Sequence, residues 1–286
     1  MISIIIPTFN RVNFLKKTLP SYLIQKHIDE IIIVDDNSQD DTPKIIDKIR
    51  KKSAIPIKYI KHSLNKGLPA AKNTGVRNAI GQFILFGEDD IYLSPNYSKI
   101  LLNHLKKNNV DIIAGKLINL KEQKCIRPFF ELPNDINGPI IDYKIFKGYF
   151  FKKTNRDIRV PFVHAVAMIK KEIFRYQNFD ESLFKYNYYR EETDFYLNAI
   201  DKGFEIIYCP HTVVYHLPKA KSDLGGCGRR KKINYLFWIQ INNINFINKN
   251  KKIIKDTLGI NPFIFAINFA IISLRNFLLR TLRLRY

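Results

Sequence analysis

Cysteine is scarce in this chain. Cys125, Cys209 and Cys227 are spread over 286 residues, with no CxxC pair among them. An odd number at wide spacing argues against a disulfide framework and against a zinc site. It fits a chain kept reduced in a cytosol. Long apolar runs are missing too. The run after Met1 is short, follows no basic segment and meets Pro7 at once, so it does not read as a signal peptide. The stretch 258–274 is apolar but interrupted by Asn261, Pro262, Asn268 and Ser273. It falls short of the ~20 apolar residues a spanning helix needs. No internal repeat, helix-turn-helix signature, zinc-finger spacing or aromatic RNA-binding motif is present. Acidic residues are outnumbered, 26 against 47 basic, for a net charge of +21. That balance calls for a polyanionic neighbour: nucleic acid, an anionic membrane face or a phosphorylated substrate.

Apolar residues make up 46% of the chain, enough for a full core. The first 115 residues alternate between strand and helix periods. "ISIIIP", "EIIIVDD", "IPIKYIKH", "QFILFGEDD" and "VDIIAGKL" read as strands. Between them lie four helical patterns. The first has Asn10 or Asn13 as cap and Pro20 as a kink; the second has Thr42 as cap and Pro43 at its first position; the third ends at Gly81. Apolar strands separated by helices of about ten residues predict a doubly wound, mostly parallel α/β sheet. From 121 to 157 the pattern gives way to Pro, Gly, Asn and aromatics, read as an irregular lid or acceptor-side wall. "PFVHAVAMIKKEIF" reads as a strand and short helix, and "REETDFYLNAIDKGFEIIYCP" as a helix stopped by Gly203 and then a strand.

Three strands end in polar clusters: "PTFNR", "DDNS" and "GEDD". A core strand needs no such ending, whereas ligands of these sheets bind at the carboxyl ends of strands. Each cluster alone is explained by turn chemistry; three on one rim, two of them acidic, point to a site. Glu88, Asp89 and Asp90 are adjacent carboxylates that repel one another unless a cation intervenes. Mg²⁺ characteristically sits between such carboxylates and substrate phosphates. Asp35 and Asp36 can accept from a base N–H or a ribose hydroxyl. Lys72, on the third helix, is either a diphosphate contact or part of a solvated face. Among the histidines, His27, His62 and His104 read as surface residues and His164 as a core one. His211 lies two residues after Cys209, too little for a metal site. Asp180 reads as a turn former.

In order and spacing, "SIIIPTFNR", "IIIVDDNSQDDT", "NKGLPAAKNTGVRNAIGQFILFGEDD" and "REETDFYLNAI" resemble the inverting glycosyltransferases of family 2, which have a GT-A fold. The resemblance covers about residues 2–216. It implies a nucleotide-sugar-binding half (1–115) and an acceptor-binding half (116–216); the basic, aromatic-rich residues beyond them read as a helical extension (217–286). It assigns Pro7, Thr8, Asn10, Asp35, Asp36, Lys72 and Asp89 to the donor, and Asp90, Glu88 and His216 to Mn²⁺ or Mg²⁺. It makes Glu192 the base, with Asp194 and Glu191 as alternatives. Departures from the family pattern are Glu at 88, Lys at 72, which gives up a planar bidentate donor, and Glu at 192. The implied reaction is sugar transfer from a nucleotide-diphosphate sugar to a glycan or lipid-linked acceptor. A sugar nucleotidyltransferase is the nearest rival, but "PTFNRVNF" lacks the glycine-rich loop such enzymes carry. A nucleic-acid binder is the rival from another class; no nucleic-acid partner is expected, because none of its motifs is present and acidic strand ends repel phosphate unless a metal sits there.

The extension 217–286 carries 14 Lys and Arg against 2 acidic residues. Interleaved with Phe and Ile, these charges predict contact with an anionic membrane surface. A cytoplasmic protein, peripheral on the inner face of the membrane, is the expectation; packing of the tail on the domain is the alternative.

Overall fold

In the computed structural model the described residues are 1–120, 139–218 and 232–281. The strands are β1 (Ile2–Thr8), β2 (Ile28–Asp35), β3 (Ile57–Lys61), β4 (Phe83–Phe86), β5 (Ile91–Leu93), β6 (Ile112–Asn119), β7 (Ile141–Asp142), β8 (Lys147–Gly148), β9 (Ile158–Arg159), β10 (Ala167–Lys170) and β11 (Ile206–His216). The helices are α1 (Val12–Leu23), α2 (Thr42–Arg50), α3 (Leu68–Asn78), α4 (Tyr97–Asn108), α5 (Glu191–Asp201), α6 (Lys232–Asp256) and α7 (Pro262–Thr281).

The main sheet runs β3-β2-β1-β4-β10-β6-β11-β5, with β9 paired to β11. β1, β2, β3 and β4 are mutually parallel, and β6 is parallel to β11. β10 lies antiparallel between β4 and β6. Two antiparallel steps restore direction, so β1, β2, β4, β6 and β11 all end on one rim. Ile4, Ile5, Ile6, Ile31, Ile32 and Ile33 are fully buried, because helices cover both faces. Burying each such side chain stabilises the fold by ~1.5–3 kcal/mol before entropy is counted.

Local signals needed tertiary correction at several points. α1 begins at Val12, and neither Asn10 nor Asn13 caps it; Asp40 reaches across from the next loop to accept from the Val12 N–H at 3.0 Å. Asp40 also takes the Thr42 N–H, and α2 is capped one residue early, at Asp41. α3 stops at Asn78 rather than Gly81, since Ala79 is already extended. Gly203 stops α5 as expected, with φ +84. The short β5, after the acidic cluster, was not legible from three residues. His62 is buried, not superficial: Asp36 and Thr74 hold its two ring nitrogens. His164 is a core residue that reaches the Gly115 carbonyl, and burial pushes its pKa down to about 4.

α6 and α7 pack on the same core as the sheet. Phe246, Ile254, Phe265 and Phe269 are buried in the cluster that holds Phe146, Phe162, Phe195 and Tyr208. Asn242, Asn243 and Asn250 are buried as well, bonded to Lys185, Arg190 and Asp194 respectively. No helix among the described residues is long and apolar enough to cross a membrane. Of the irregular stretch expected at 121–157, residues 121–138 lie outside the described residues, as do Gly225, Gly226, Gly228, Arg229, Arg230, Lys231, Arg283 and Arg285; residues 139–157 form turns and the short antiparallel β7–β8 pair.

Candidate active site

The rim is assembled from loops that hold one another. The Asn10 N–H donates to Ser38 Oγ at 2.8 Å, and Asn10 Oδ1 accepts from the Gln39 N–H at 2.7 Å. These bonds fasten the loop after β1 to the loop after β2. Pro7 is buried at the end of β1. Asp35 is fully buried and accepts from the Ser38 N–H and the Tyr59 hydroxyl. Asp36 accepts from His62 and Lys66 N–H on one oxygen and from Gly67 N–H on the other, all within 2.8 Å. Both aspartates therefore shape the loops of the rim. Gly67 needs its lack of a side chain: its φ is +94, and a Cβ there would run into the Tyr188 ring. The contact brings the segment before α5 onto the loop before α3.

The acidic cluster follows β4. Thr8 Oγ1 donates to Asp89 at 2.9 Å. Arg11, which the sequence reading assigned no role, reaches Asp89 at 2.9 Å and Asp90 at 2.7 Å. Burial disfavours the guanidinium charge, but Asp89 and Asp90 outweigh it and hold the pKa above its ordinary value. His216 arrives from the end of β11, with Nε2 3.3 Å from Asp90. Ligand atoms of Glu88, Asp90 and His216 lie within 4.8 Å of one another. Burial, with Asp90 next, pushes the Glu88 carboxyl up to about 8. Negative charge in excess of its partners, on oxygen donors and one imidazole, fits a hard divalent cation.

Lys72 is not on a solvated face. It is 1% exposed, paired with Glu191, and sits over the rings of Phe86 and Phe179. Its neighbour Asn73 bonds both ways to the Phe179 backbone, at 2.9 and 3.0 Å. Burial opposes the charge on Lys72, and Glu191 with Glu192 more than restores it. Burial likewise pushes Glu191 up to about 8, against the pull of Lys72. Lys72 thus stays charged among more carboxylates than one cation neutralises.

The three carboxylates in the first turn of α5 have different surroundings. Glu191 is committed to Lys72. Asp194 is 3% exposed and bound to Lys249 and Asn250 of α6, at 2.8 and 2.7 Å. Glu192 is half-buried and acts on the charges of Glu88 and Lys72. Asp180 accepts from Ser182, Leu183 and Lys249, as a turn former does.

A family profile described as "Glycosyl transferase family 2" matches residues 3–176. The chain belongs to that family. It is 35% identical over 152 residues to poly(ribitol-phosphate) β-N-acetylglucosaminyltransferase TarP of Staphylococcus aureus, covering 51% of this chain and 45% of that one. It is 27% identical over 211 residues to GalNAc(5)-diNAcBac-PP-undecaprenol β-1,3-glucosyltransferase of Campylobacter jejuni, covering 72% and 62%. The match spans under two thirds of the length of these curated relatives. Its fold is that of the mannosyltransferase PcManGT from Pyrobaculum calidifontis, solved with GDP-Man and Mn²⁺, at a TM-score of 0.62 and 15% identity, covering 100% of this chain and 76% of that one. The GT-A fold read from the strand-end motifs is therefore the fold of this family-2 chain.

Proposed function

We propose that this chain transfers a sugar from a nucleotide-diphosphate sugar to an acceptor hydroxyl, with inversion at the anomeric carbon. The observation that carries the reading is the meeting of two carboxylate sets at one rim: Glu88-Asp89-Asp90 with His216, and Glu192 on α5. The nucleoside lies along Pro7, Thr8 and Asn10 and against the loops braced by Asp35 and Asp36. Glu88, Asp90 and His216 hold Mn²⁺ or Mg²⁺, with Asp89 fixing Thr8 and Arg11 beside them. When bound, that cation offsets charge developing on the diphosphate. Lys72 adds a buried positive charge to the same wall.

Glu192 removes the proton of the acceptor hydroxyl. Its rivals are engaged, Glu191 by Lys72 and Asp194 by α6, which favours Glu192. One in-line displacement then inverts the configuration without a covalent sugar–enzyme intermediate. Family membership favours this reading over nucleotidyl transfer and over nucleic-acid binding.

The acceptor belongs to surface glycan, polysaccharide or lipid-linked glycan synthesis, as the names of the relatives suggest, and the site works at the inner face of a membrane. α7 supports that placement. Its Phe265 and Phe269 face the core, while Phe263, Ile264, Ile267, Ile271, Leu274 and Leu278 form an exposed stripe on the opposite side. A helix apolar on both faces needs a second apolar neighbour.

The test is a panel of nucleoside diphosphates with Mn²⁺ or Mg²⁺. The matching nucleotide at about 100 times its Kd stabilises the fold by ~2.7 kcal/mol, read as a metal-dependent rise in Tm. No metal-dependent shift across the panel sinks the donor site. NMR of the product's anomeric proton then distinguishes inversion from retention.

A further inference from the structure

A second cluster of metal-ligating side chains lies well away from the rim. Asp157, just before β9, accepts from His104 Nδ1 of α4 at 2.7 Å and from Asn108 at 2.8 Å, both on Oδ2. Cys209 of β11 is fully buried beside them. Ligand atoms of His104, Asp157 and Cys209 all lie within 4.8 Å of one another. His211 stacks its ring on that of His104, centroids 4.8 Å apart, and places Nε2 3.9 Å from Asp157 Oδ1. That Oδ1 is out of reach of solvent and accepts no hydrogen bond from nitrogen or oxygen; the Cys209 thiol is the weak donor beside its carboxylate.

The backbone explains the convergence. The β6–β11 register shifts between Tyr208 and Val213. Such a bulge re-aims side chains, and residues two apart on a strand share a face. Cys209 and His211 are thereby turned together toward α4. His216 is seven residues further along β11, ~20 Å away at strand rise. The cluster is separate from the donor rim.

We propose that His104, Asp157, Cys209 and His211 form a structural binding site for a zinc-class divalent cation. The donor set is one sulfur, two imidazoles and one carboxylate. Zn²⁺ takes these ligands at about 2.0–2.3 Å in a tetrahedron, with neighbouring donors ~3.3–3.7 Å apart. Thiolate and imidazole favour such borderline metals over the Mn²⁺ or Mg²⁺ of an oxygen-rich rim. Binding replaces the His104–Asp157 hydrogen bond with two metal bonds, the Nδ1 proton passing through solvent to Nε2, and gives Asp157 Oδ1 a cationic neighbour. The Cys209 thiol loses its proton to solvent as the Cys–metal bond forms. Burial, with the charge and hydrogen bond of Asp157, holds that proton on the free thiol, while a backbone hydrogen bond from His211 and the charge of Lys116 favour the thiolate. The metal ties β9 and the segment before it to β11 and α4, so it contributes to folding rather than to transfer.

Cobalt distinguishes this site from the rim by its sulfur ligand. The full chain, stripped by a chelator, is titrated with Co²⁺ in the absence of nucleotide. One equivalent is expected to produce thiolate-to-cobalt charge-transfer absorption, displaced by Zn²⁺. The band disappears in Cys209→Ser, and it stays in Asp90→Asn and in the Cys125→Ser/Cys227→Ser double variant. Zn²⁺ also raises the Tm of the full chain, and this rise is lost in His104→Ala, whose side chain is 24% exposed and lies at the edge of the core. His211→Ala weakens Zn²⁺ binding at least about tenfold. Absence of the band in the full chain, its persistence in Cys209→Ser, or its loss in the Cys125→Ser/Cys227→Ser variant overturns the proposal. In the first case the cluster is a hydrogen-bonded anchor only. Should Cys209→Ser fail to fold, an unchanged Zn²⁺ response in both histidine variants overturns it equally.

Discussion

Arg11 and Asp90 are joined at 2.7 Å, at the carboxylate that the metal reading also claims. The chain thus carries its own cation in a pocket where three carboxylates follow one another. Removing one partner of a buried pair leaves the other uncompensated, at a cost of ~3–5 kcal/mol. Arg11→Gln is expected to lower the Tm in the absence of metal and to enlarge the rise produced by Mn²⁺. Thermal melts with and without Mn²⁺ measure both. An unchanged metal response would show that Arg11 and the cation do not share the pocket.

Glu192→Gln is expected to leave nucleotide binding intact and to reduce transfer by about 10²–10⁴-fold, the usual contribution of a general base. Asp194→Asn should instead lower stability, since it weakens contacts to Lys249 and Asn250. Transfer rates paired with nucleotide-dependent melting separate the two. Full transfer in Glu192→Gln with loss in a folded Asp194→Asn moves the base to Asp194.

Two carboxyls at the rim have raised pKa values, and this gives stability a pH slope. Glu88 and Glu191 rise from 4.5 to about 8 through burial, with Asp90 and Glu192 adding to it and Lys72 opposing it. Between those values the folded chain holds protons that the unfolded chain has released. Stability therefore falls as pH rises from about 4.5 to 8. Glu88 keeps some exposure, so solvent screening reduces its share. Tm measured across that window without metal is expected to decline, and Glu88→Gln to flatten the decline. A Tm that climbs over the same window contradicts the assignment.

The two C-terminal helices are expected to be required for folding. A chain ending at residue 231 loses Phe246, Ile254, Phe265 and Phe269 from the core and leaves Arg190 and Asp194 without their α6 partners. Loss of several large apolar side chains costs ~2–5 kcal/mol each, against a typical total of ~5–15 kcal/mol. Thermal unfolding should show no cooperative transition in the shortened chain. Membrane contact is tested without truncation. Ile267→Glu/Ile271→Glu, on the exposed stripe of α7, should reduce sedimentation with anionic vesicles while leaving Tm nearly unchanged. Equal sedimentation removes the stripe from the membrane account.

The alternation of β1 to β4 with α1 to α3 was legible because strand and helix periods are local, and a strand buried on both faces reads as an unbroken apolar run. The polar endings at Thr8, Asp36 and Asp90 were legible for the same reason: each adjoins its strand in the chain. What each residue touches was not legible. Lys72 and Glu191 are 119 positions apart, and Arg11 and Asp90 are 79. Only the sheet order, with β10 inserted antiparallel between β4 and β6, brings such partners together. His62 read as a surface residue because nothing beside it in sequence announces Asp36. Cys209 and His211 read as too little for a metal site, because His104 and Asp157 reach them only across the folded edge of the sheet. The basic tail shows the same division. Its composition records charge and apolar content, but burial against the core decides which face of each helix remains for solvent. Local pattern specifies the elements and their chemistry; long-range packing selects the partners, because a pairing energy is set by distances that the sequence does not contain.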